Sequence, residues 1–175
     1  LIHWPNPLAL RSCWAEKNAE TWQAMEEMQA QGLIQSLGIS NFRLHHYEAL
    51  MKTARVKPVV NQIKLCPGIT QLAVVAFCQA EDILLEGYSP LGQGDVLETP
   101  FLIELGRKYD KTPAQIALRW GLERGYIPLP KSIHRERMAQ NAQIFDFSLT
   151  EEEVATLAGL KGVGGIVKNP DTVSF

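Results

Sequence analysis

The sequence predicts an α/β fold with a parallel sheet, of the (β/α)8 TIM-barrel type, and it holds about half of such a barrel. Three observations lead there. Short apolar runs alternate with stretches of helical periodicity, and that alternation implies parallel strands joined by right-handed crossovers. Strand starts fall at about positions 34, 58, 83 and 126, the first two spacings near 25 residues and the third lengthened by an additional helix; equal short repeats favour a barrel over an open doubly wound sheet. The chain has 175 residues, whereas a closed eight-stranded barrel typically needs about 250. With 46% apolar residues it can bury a core as a single partial-barrel domain over 1–175, with 161–175 as a C-terminal tail.

Leu1-Ile2-His3 is an apolar stub closed by Trp4-Pro5-Asn6-Pro7, because two prolines bar continuation of a central strand or a helix. From Glu20 to Gln31, Trp22, Met25 and Met28 recur three apart and Gly32 stands where a C-cap belongs, predicting a helix with those three side chains toward the core. Leu33 to Ile39 reads as a buried strand broken by Ser40-Asn41-Phe42. A helix from about Leu44 to Ala54 precedes Pro58, which opens the strand Val59 to Ile63; Thr70 to Ala80 is helical, Ile83 to Tyr88 a strand, and Ser89 to Gly94 a polar loop. Helices follow over about Pro100 to Tyr109 and Thr112 to Arg124, the latter with Thr112 as N-cap, Pro113 at its first position, and Trp120 and Leu122 inward. Tyr126 to Pro130 is the fourth strand and His134 to Asn141 a short helix. Thr150 with Glu153 forms a capping box for a last helix ending near Leu160.

Charge and cysteine content exclude several classes. Seventeen basic against nineteen acidic residues leave a net charge of -2, which provides no field for nucleic acid or an anionic membrane surface. The longest apolar stretches, such as Leu72 to Cys78, are far too short to span a bilayer, and no basic segment precedes an apolar signal. Cys13, Cys66 and Cys78 show no CxxC spacing and read as reduced thiols of a cytoplasmic protein. His45-His46 suggests a metal pair, but neighbours on a helix diverge by about 100° and no third ligand has suitable spacing, so both are expected at the surface. Glu151 to Glu153 complement the helix dipole, and Tyr47 and Tyr109 fall on helices.

In such a barrel the loops after the strands form the functional face. They carry His3; Ser40 and Asn41; Asn61 and Gln62; Tyr88, Ser89, Leu91, Gly92, Gln93 and Gly94; and Lys131, Ser132, Arg137, Gln140 and Asn141. By residue type alone, His3 packs at a strand end, Ser40 and Asn41 cap a helix after a strand, and Tyr88 is a half-buried strand aromatic. The glycine-containing loop presents amides to a phosphate or is a plain turn, and Lys131 to Arg137 bind a phosphate at a helix N-terminus or form a solvated charged turn.

Five blocks, Leu1-Ile2-His3-Trp4-Pro5, Gly38-Ile39-Ser40-Asn41-Phe42, Val60-Asn61-Gln62-Ile63, Tyr88-Ser89-Pro90-Leu91-Gly92 and Pro130-Lys131-Ser132, resemble the aldo-keto reductases in order and approximate spacing. Lys111-Thr112-Pro113-Ala114-Gln115, Leu118-Arg119-Trp120 and Ile144-Phe145-Asp146-Phe147 extend the similarity nearly to Leu160. The resemblance implies reduction of a small-molecule carbonyl to an alcohol by hydride transfer from NADPH, on the end of strand 4 through strand 8 and the C-terminal helices of the barrel. It implies that His3 hydrogen-bonds the carbonyl oxygen and that Trp4 touches substrate. Ser40, Asn41 and Gln62 would hold the nicotinamide carboxamide, and Tyr88 would stack on its ring. The loop Ser89, Leu91, Gly92, Gln93 and Gly94 would take the pyrophosphate. Lys131, Ser132 and Arg137 would grip the 2'-phosphate, which favours NADP over NAD, with Gln140 and Asn141 near the adenine.

The Asp, Tyr and Lys that complete the family's catalytic set lie upstream of the His block and have no counterpart in these 175 residues. That leaves a second reading, a non-catalytic NADP-binding or assembly half-barrel. A full-length protein is expected to be monomeric, whereas a true half-barrel would expose sheet edges and self-associate. The usual Ile-Glu-Leu-His-Pro block reads Ile63-Lys64-Leu65-Cys66-Pro67 here, reversing one charge and removing an imidazole. The tail only loosely resembles bacterial diketogluconate-reductase-like members.

Overall fold

Four short strands, β1 (Gly38–Ser40), β2 (Val60–Lys64), β3 (Leu84–Tyr88) and β4 (Tyr126–Leu129), lie side by side in chain order in a computed structural model that describes residues 1–175. β1 pairs with β2 in parallel, Gly38 opposite Val60 and Ser40 opposite Gln62. The N-terminal stub adds a parallel bridge from Ile2 to Ile39. Seven α-helices alternate with the strands: α1 (Trp14–Ala30), α2 (Leu44–Met51), α3 (Leu72–Ala80), α4 (Pro100–Tyr109), α5 (Pro113–Glu123), α6 (Arg135–Ala142) and α7 (Glu151–Ala158). This is the predicted α/β class with a parallel sheet, consistent with a (β/α)8 barrel. No helix is long and apolar enough to cross a membrane.

The chain divides into two compact units, one of Leu1–Ile63, Leu72–Leu85 and Lys168–Phe175, the other of Lys64–Gln71 and Glu86–Val167. In the first, Trp22, Leu37, Ile39, Phe42, Leu50 and Ile63 are buried, each such side chain contributing about 1.5–3 kcal/mol. The Trp22 indole N–H donates to Val56 O at 2.9 Å, and Glu26 accepts the Arg55 and Val56 amides at 2.7 and 2.8 Å. Those bonds tie α1 to the approach of β2. Gly38 is a packing requirement, because a Cβ there would overlap the side chains of Leu1 and Val60.

In the second unit Leu102, Ile116, Leu118, Trp120 and Leu157 are buried, and the Trp120 indole N–H donates to Val154 O at 3.1 Å. α5 starts on the predicted cap: Thr112 Oγ1 accepts the Gln115 amide, Gln115 Oε1 accepts the Thr112 amide, and Pro113 occupies the first turn. α7 starts on the Thr150–Glu153 box.

Several elements differ from expectation, each for a local reason. Leu33 to Gln35 closes α1 instead of opening β1: the Gly32 amide donates to Gln29 O and the Leu33 amide to Met28 O, a Schellman closure that leaves Leu33 72% exposed. α1 begins at Trp14, six residues earlier than its periodicity suggests, because Cys13 is an N-cap without a side-chain hydrogen bond and carries no sequence signal. A three-residue repeat drifts about 60° per step on a helix; Met25 is therefore half-buried and Met28 exposed, while Asn18 and Trp22 face inward. Leu122 is only half-buried, and residues 92–98 form a kinked 3-10 segment where a plain loop was expected.

The surface assignment of His45-His46 fails for His46, which is fully buried. Its Nε2 lies 2.8 Å from Asp171 Oδ1, a partner 125 residues away that no local spacing reveals. The tail is irregular yet anchored: the Leu8 amide donates to Phe175 O at 2.8 Å and Arg11 Nη2 to Val173 O at 2.5 Å. The three cysteines are free.

Glu153 closes the α7 box and also accepts Lys108 Nζ and Tyr109 Oη–H, each at 2.7 Å. Burial opposes its ionisation, but the hydrogen bonds from Lys108, the Thr150 amide and Tyr109 outweigh it and bring the carboxyl down to about 2. A depressed carboxyl stabilises the fold above its unfolded value near 4.5, and that contribution fades as pH falls toward 2. Glu153→Gln should therefore lower stability at pH 7 by on the order of 2 kcal/mol and flatten the acid limb between pH 4.5 and 2. Chemical denaturation across that range checks it.

Candidate functional site

In the first unit the candidate residues collect where β1 and β2 end. The Ser40 hydroxyl donates to Gln62 O at 2.7 Å and the Asn41 amide to the same oxygen at 3.0 Å. Asn41 sits in left-handed backbone (φ 61°), a conformation asparagine tolerates better than most residues. That turn lets Asn41 Nδ2 reach His3 O at 3.0 Å and Ser40 Oγ at 3.1 Å. Neither residue is a helix cap, since the N-cap of α2 is Arg43. His3 is exposed at the end of its stub, and its ring lies 5.9 Å from the Trp4 indole, itself edge-on to Phe175 at 5.3 Å.

Asn61 does not join this group. Strand alternation turns it away from Gln62, and it is fully buried with Nδ2 donating to Phe42 O at 3.0 Å beside Cys78.

In the second unit Tyr88 ends β3 half-buried, burial raising its phenol above the ordinary value. The loop beyond it turns through positive φ at Ser89, Gly92, Gln93 and Gly94. Gly92 has no room for a side chain, since a Cβ would lie 2.8 Å from Gly164 Cα. Two loop amides are committed internally, Gly92 N–H to Ser89 O at 2.9 Å and Gly94 N–H to Leu91 O at 2.8 Å.

Lys131, Ser132, Arg137, Gln140, Asn141 and Leu91 line one cleft of about 450 Å³ together with His134 and Thr112. Ser132 Oγ accepts the His134 amide at 3.1 Å and folds the chain into the first turn of α6. α6 has no side-chain N-cap, so its first amides and the exposed Lys131 and Arg137 present a cationic, donor-rich wall suited to an anion.

The matching family model is the aldo/keto reductase family, over residues 1–161. The chain belongs to the aldo/keto reductase family. It is 39% identical over 175 residues to glyoxal reductase of Bacillus subtilis (strain 168), covering all of this chain and 60% of that protein. Methylglyoxal reductase DkgA of Escherichia coli (strain K12) is 38% identical over 173 residues, 98% of this chain and 61% of that one. Among solved structures, Gox0644, determined both as the apoform and as a mutant in complex with NADPH, superposes with a TM-score of 0.88 at 35% identity, over 99% of this chain and 62% of that chain. This aldo/keto reductase chain thus spans about three-fifths of the length of the curated relatives it matches.

One feature of this family member was not singled out from sequence. Gln115, 5% exposed, closes the α5 cap through Oε1 while its Nε2 donates to Gln140 O at 3.1 Å and Gln143 O at 2.9 Å, fixing the end of α6 that carries Gln140 and Asn141. Its third position after Thr112 signals the cap; nothing local signals the tie to α6. The altered block after Gln62 is internal. Lys64 is 6% exposed and donates to Ile166 O at 3.2 Å, and burial pushes the Cys66 thiol up to about 11, unsuited to a nucleophile.

Gln115→Glu keeps the acceptor for the cap but has no donor for the two α6 carbonyls. We expect it to retain α5 while accelerating amide exchange through α6, and Gln115→Leu to lose both functions at a cost of about 1–3 kcal/mol. Hydrogen exchange and thermal denaturation of the two variants separate these effects.

Proposed function

We propose that the protein carries out NADPH-dependent reduction of an aldehyde or ketone to an alcohol, with residues 1–175 forming one partial domain equivalent to the end of strand 4 through strand 8 of a (β/α)8 barrel and 161–175 its tail. The observation that carries the reading is the cationic cleft at the start of α6. A 2'-phosphate needs charge-assisted donors, and Lys131, Arg137 and the uncapped first turn of α6 present them on one wall. The donor chemistry fits the cofactor, and family membership together with the NADPH-bound relative supports the assignment.

When bound, NADPH supplies the hydride that reduces the carbonyl carbon. Lys131, Ser132 and Arg137 hold the 2'-phosphate, and Gln140 and Asn141 lie by the adenine on the helix that Gln115 fixes. The loop from Ser89 through Leu91, Gly92, Gln93 and Gly94 takes the pyrophosphate. Tyr88 stacks on the nicotinamide, and Ser40, Asn41 and Gln62 hold its carboxamide. His3 donates a hydrogen bond to the substrate carbonyl oxygen and stabilises charge developing there, with Trp4 as an apolar wall against the substrate. By the family resemblance the Asp, Tyr and Lys that deliver the proton are expected upstream of the His3 block, so His3 is assigned to polarisation alone.

Arg137→Ala should weaken NADPH binding about tenfold or more and leave NADH binding within twofold, as expected for a lost charge-assisted contact of about 1.5–3 kcal/mol. Equal losses by calorimetric titration would remove the 2'-phosphate role. His3→Ala should lower turnover of an aldehyde by about a hundredfold or more while NADPH affinity stays unchanged. Tight NADPH binding with no turnover by the parent protein would favour a cofactor-binding module over a reductase.

A further inference from the structure

The Asp171 carboxylate stands where three parts of the first unit meet. Its Oδ1 accepts His46 Nε2 at 2.8 Å and His45 Nε2 at 3.1 Å, with Asn6 Nδ2 3.5 Å from the same oxygen, and its Oδ2 accepts Arg43 Nη1 at 3.3 Å. His46 is fully buried and Asn6 is 5% exposed. Trp14 packs edge-on over both imidazoles, at 5.0 Å from His46 and 6.2 Å from His45. The proposed chemistry uses none of these groups.

Two imidazoles and a carboxylate suggest a metal, but the proton positions argue against one. His46 Nδ1 accepts the Arg43 backbone N–H at 3.2 Å, so the neutral ring carries its proton on Nε2, aimed at Asp171. A metal on Nε2 would drive that proton to Nδ1, opposite an N–H donor. It would also set a second cation beside the Arg43 guanidinium.

We propose that Asp171 is a positioning residue that latches Lys168–Phe175 onto His45, His46 and Arg43, and so holds Phe175 edge-on against Trp4 beside His3. Besides the Asp171 contacts, two hydrogen bonds hold this segment to the rest of the unit, Arg11 to Val173 O and the Leu8 amide to Phe175 O, and the Val173 side chain is buried. All of these lie two to four residues beyond Asp171, at the end of the segment that carries Phe175. The effect on substrate rests on the function proposed above; the latch does not.

The titratable and charged groups facing Asp171 are His45 and His46 of α2 and Arg43 at its N-cap. Burial opposes ionisation of Asp171, but hydrogen bonds from His45 and His46 hold its carboxyl below the ordinary value. Burial, reinforced by His45, lowers His46 to about 4. A base depressed from 6.5 stabilises the closed form fully above 6.5 and progressively less as pH falls toward 4. Protonation there places an N–H on Nδ1 against the Arg43 amide. Acid therefore opens the latch.

Amide exchange at Leu8, whose N–H is held by Phe175 O, tests this directly. Asp171→Asn should speed Leu8 exchange tenfold or more at pH 7. The parent protein taken from pH 7 to pH 4.5, corrected for intrinsic rates, should approach the same value even if the variant does not fold. Asp146→Asn, which removes an ion pair of the second unit, should leave Leu8 unchanged. Wild-type protection of Leu8 in Asp171→Asn, or a flat pH response in the parent, would overturn the latch. In active protein, Asp171→Asn and Phe175→Ala should raise KM for a bulky aldehyde by similar factors of about five or more with kcat for a small one unchanged. Unaltered KM in Asp171→Asn would overturn the positioning role, whereas a parent protein that reduces no carbonyl would count against the proposed function and leave the exchange result to judge the latch.

Discussion

The first group of candidate residues depends on one acceptor, the Gln62 carbonyl oxygen, which takes both the Ser40 hydroxyl and the Asn41 amide at the point where β1 and β2 stop pairing. Those two bonds force the chain to turn. The turn puts Asn41 at a positive φ, and from there its side chain holds the His3 carbonyl. The position of His3 is thus set by the Asn41 hydrogen bond together with the Ile2 bridge to β1, while its own ring is exposed beside Trp4. Short polar side chains suit that task because they carry donors without bulk, whether or not the same atoms also face a ligand.

The second group is organised by helix ends. An uncapped helix start leaves amides that seek an acceptor, and α6 presents such a start into a cleft with one lysine and one arginine, Lys131 and Arg137. Its far end is satisfied differently, by a glutamine whose other atom closes the cap of α5. The same structural economy recurs at Glu153, which caps α7 and pairs with Lys108 and Tyr109 of α4. In both cases one buried polar side chain fixes a pair of elements, so its loss disturbs each of them.

How much was legible in the sequence follows the range of the interaction. Thr112-Pro113 with Gln115, and Thr150 with Glu153, mark α5 and α7 because a cap is written within four residues. The strand-end residues were legible through their alternation with helices, although Asn61 shows that strand parity matters as much as position. The early start of α1 was not legible, since Cys13 offers no cap, and Leu33 misled because a Schellman closure places an apolar residue where a strand would also want one. The burial of His46 was beyond local reading altogether. Its partner lies 125 residues downstream, and only the folded chain brings Asp171 to it.

The placement of tryptophan has a spectroscopic consequence. Trp4, Trp14 and Trp22 all belong to the first compact unit, and Trp120 is the sole tryptophan of the second, buried at 1% exposure with its indole N–H bound to Val154 O. Replacing the three first-unit indoles by phenylalanine would leave a protein whose intrinsic emission arises from the second unit alone. Its wavelength would then report solvent entry beneath α7, a built-in optical label for one unit of a chain whose other unit is silent.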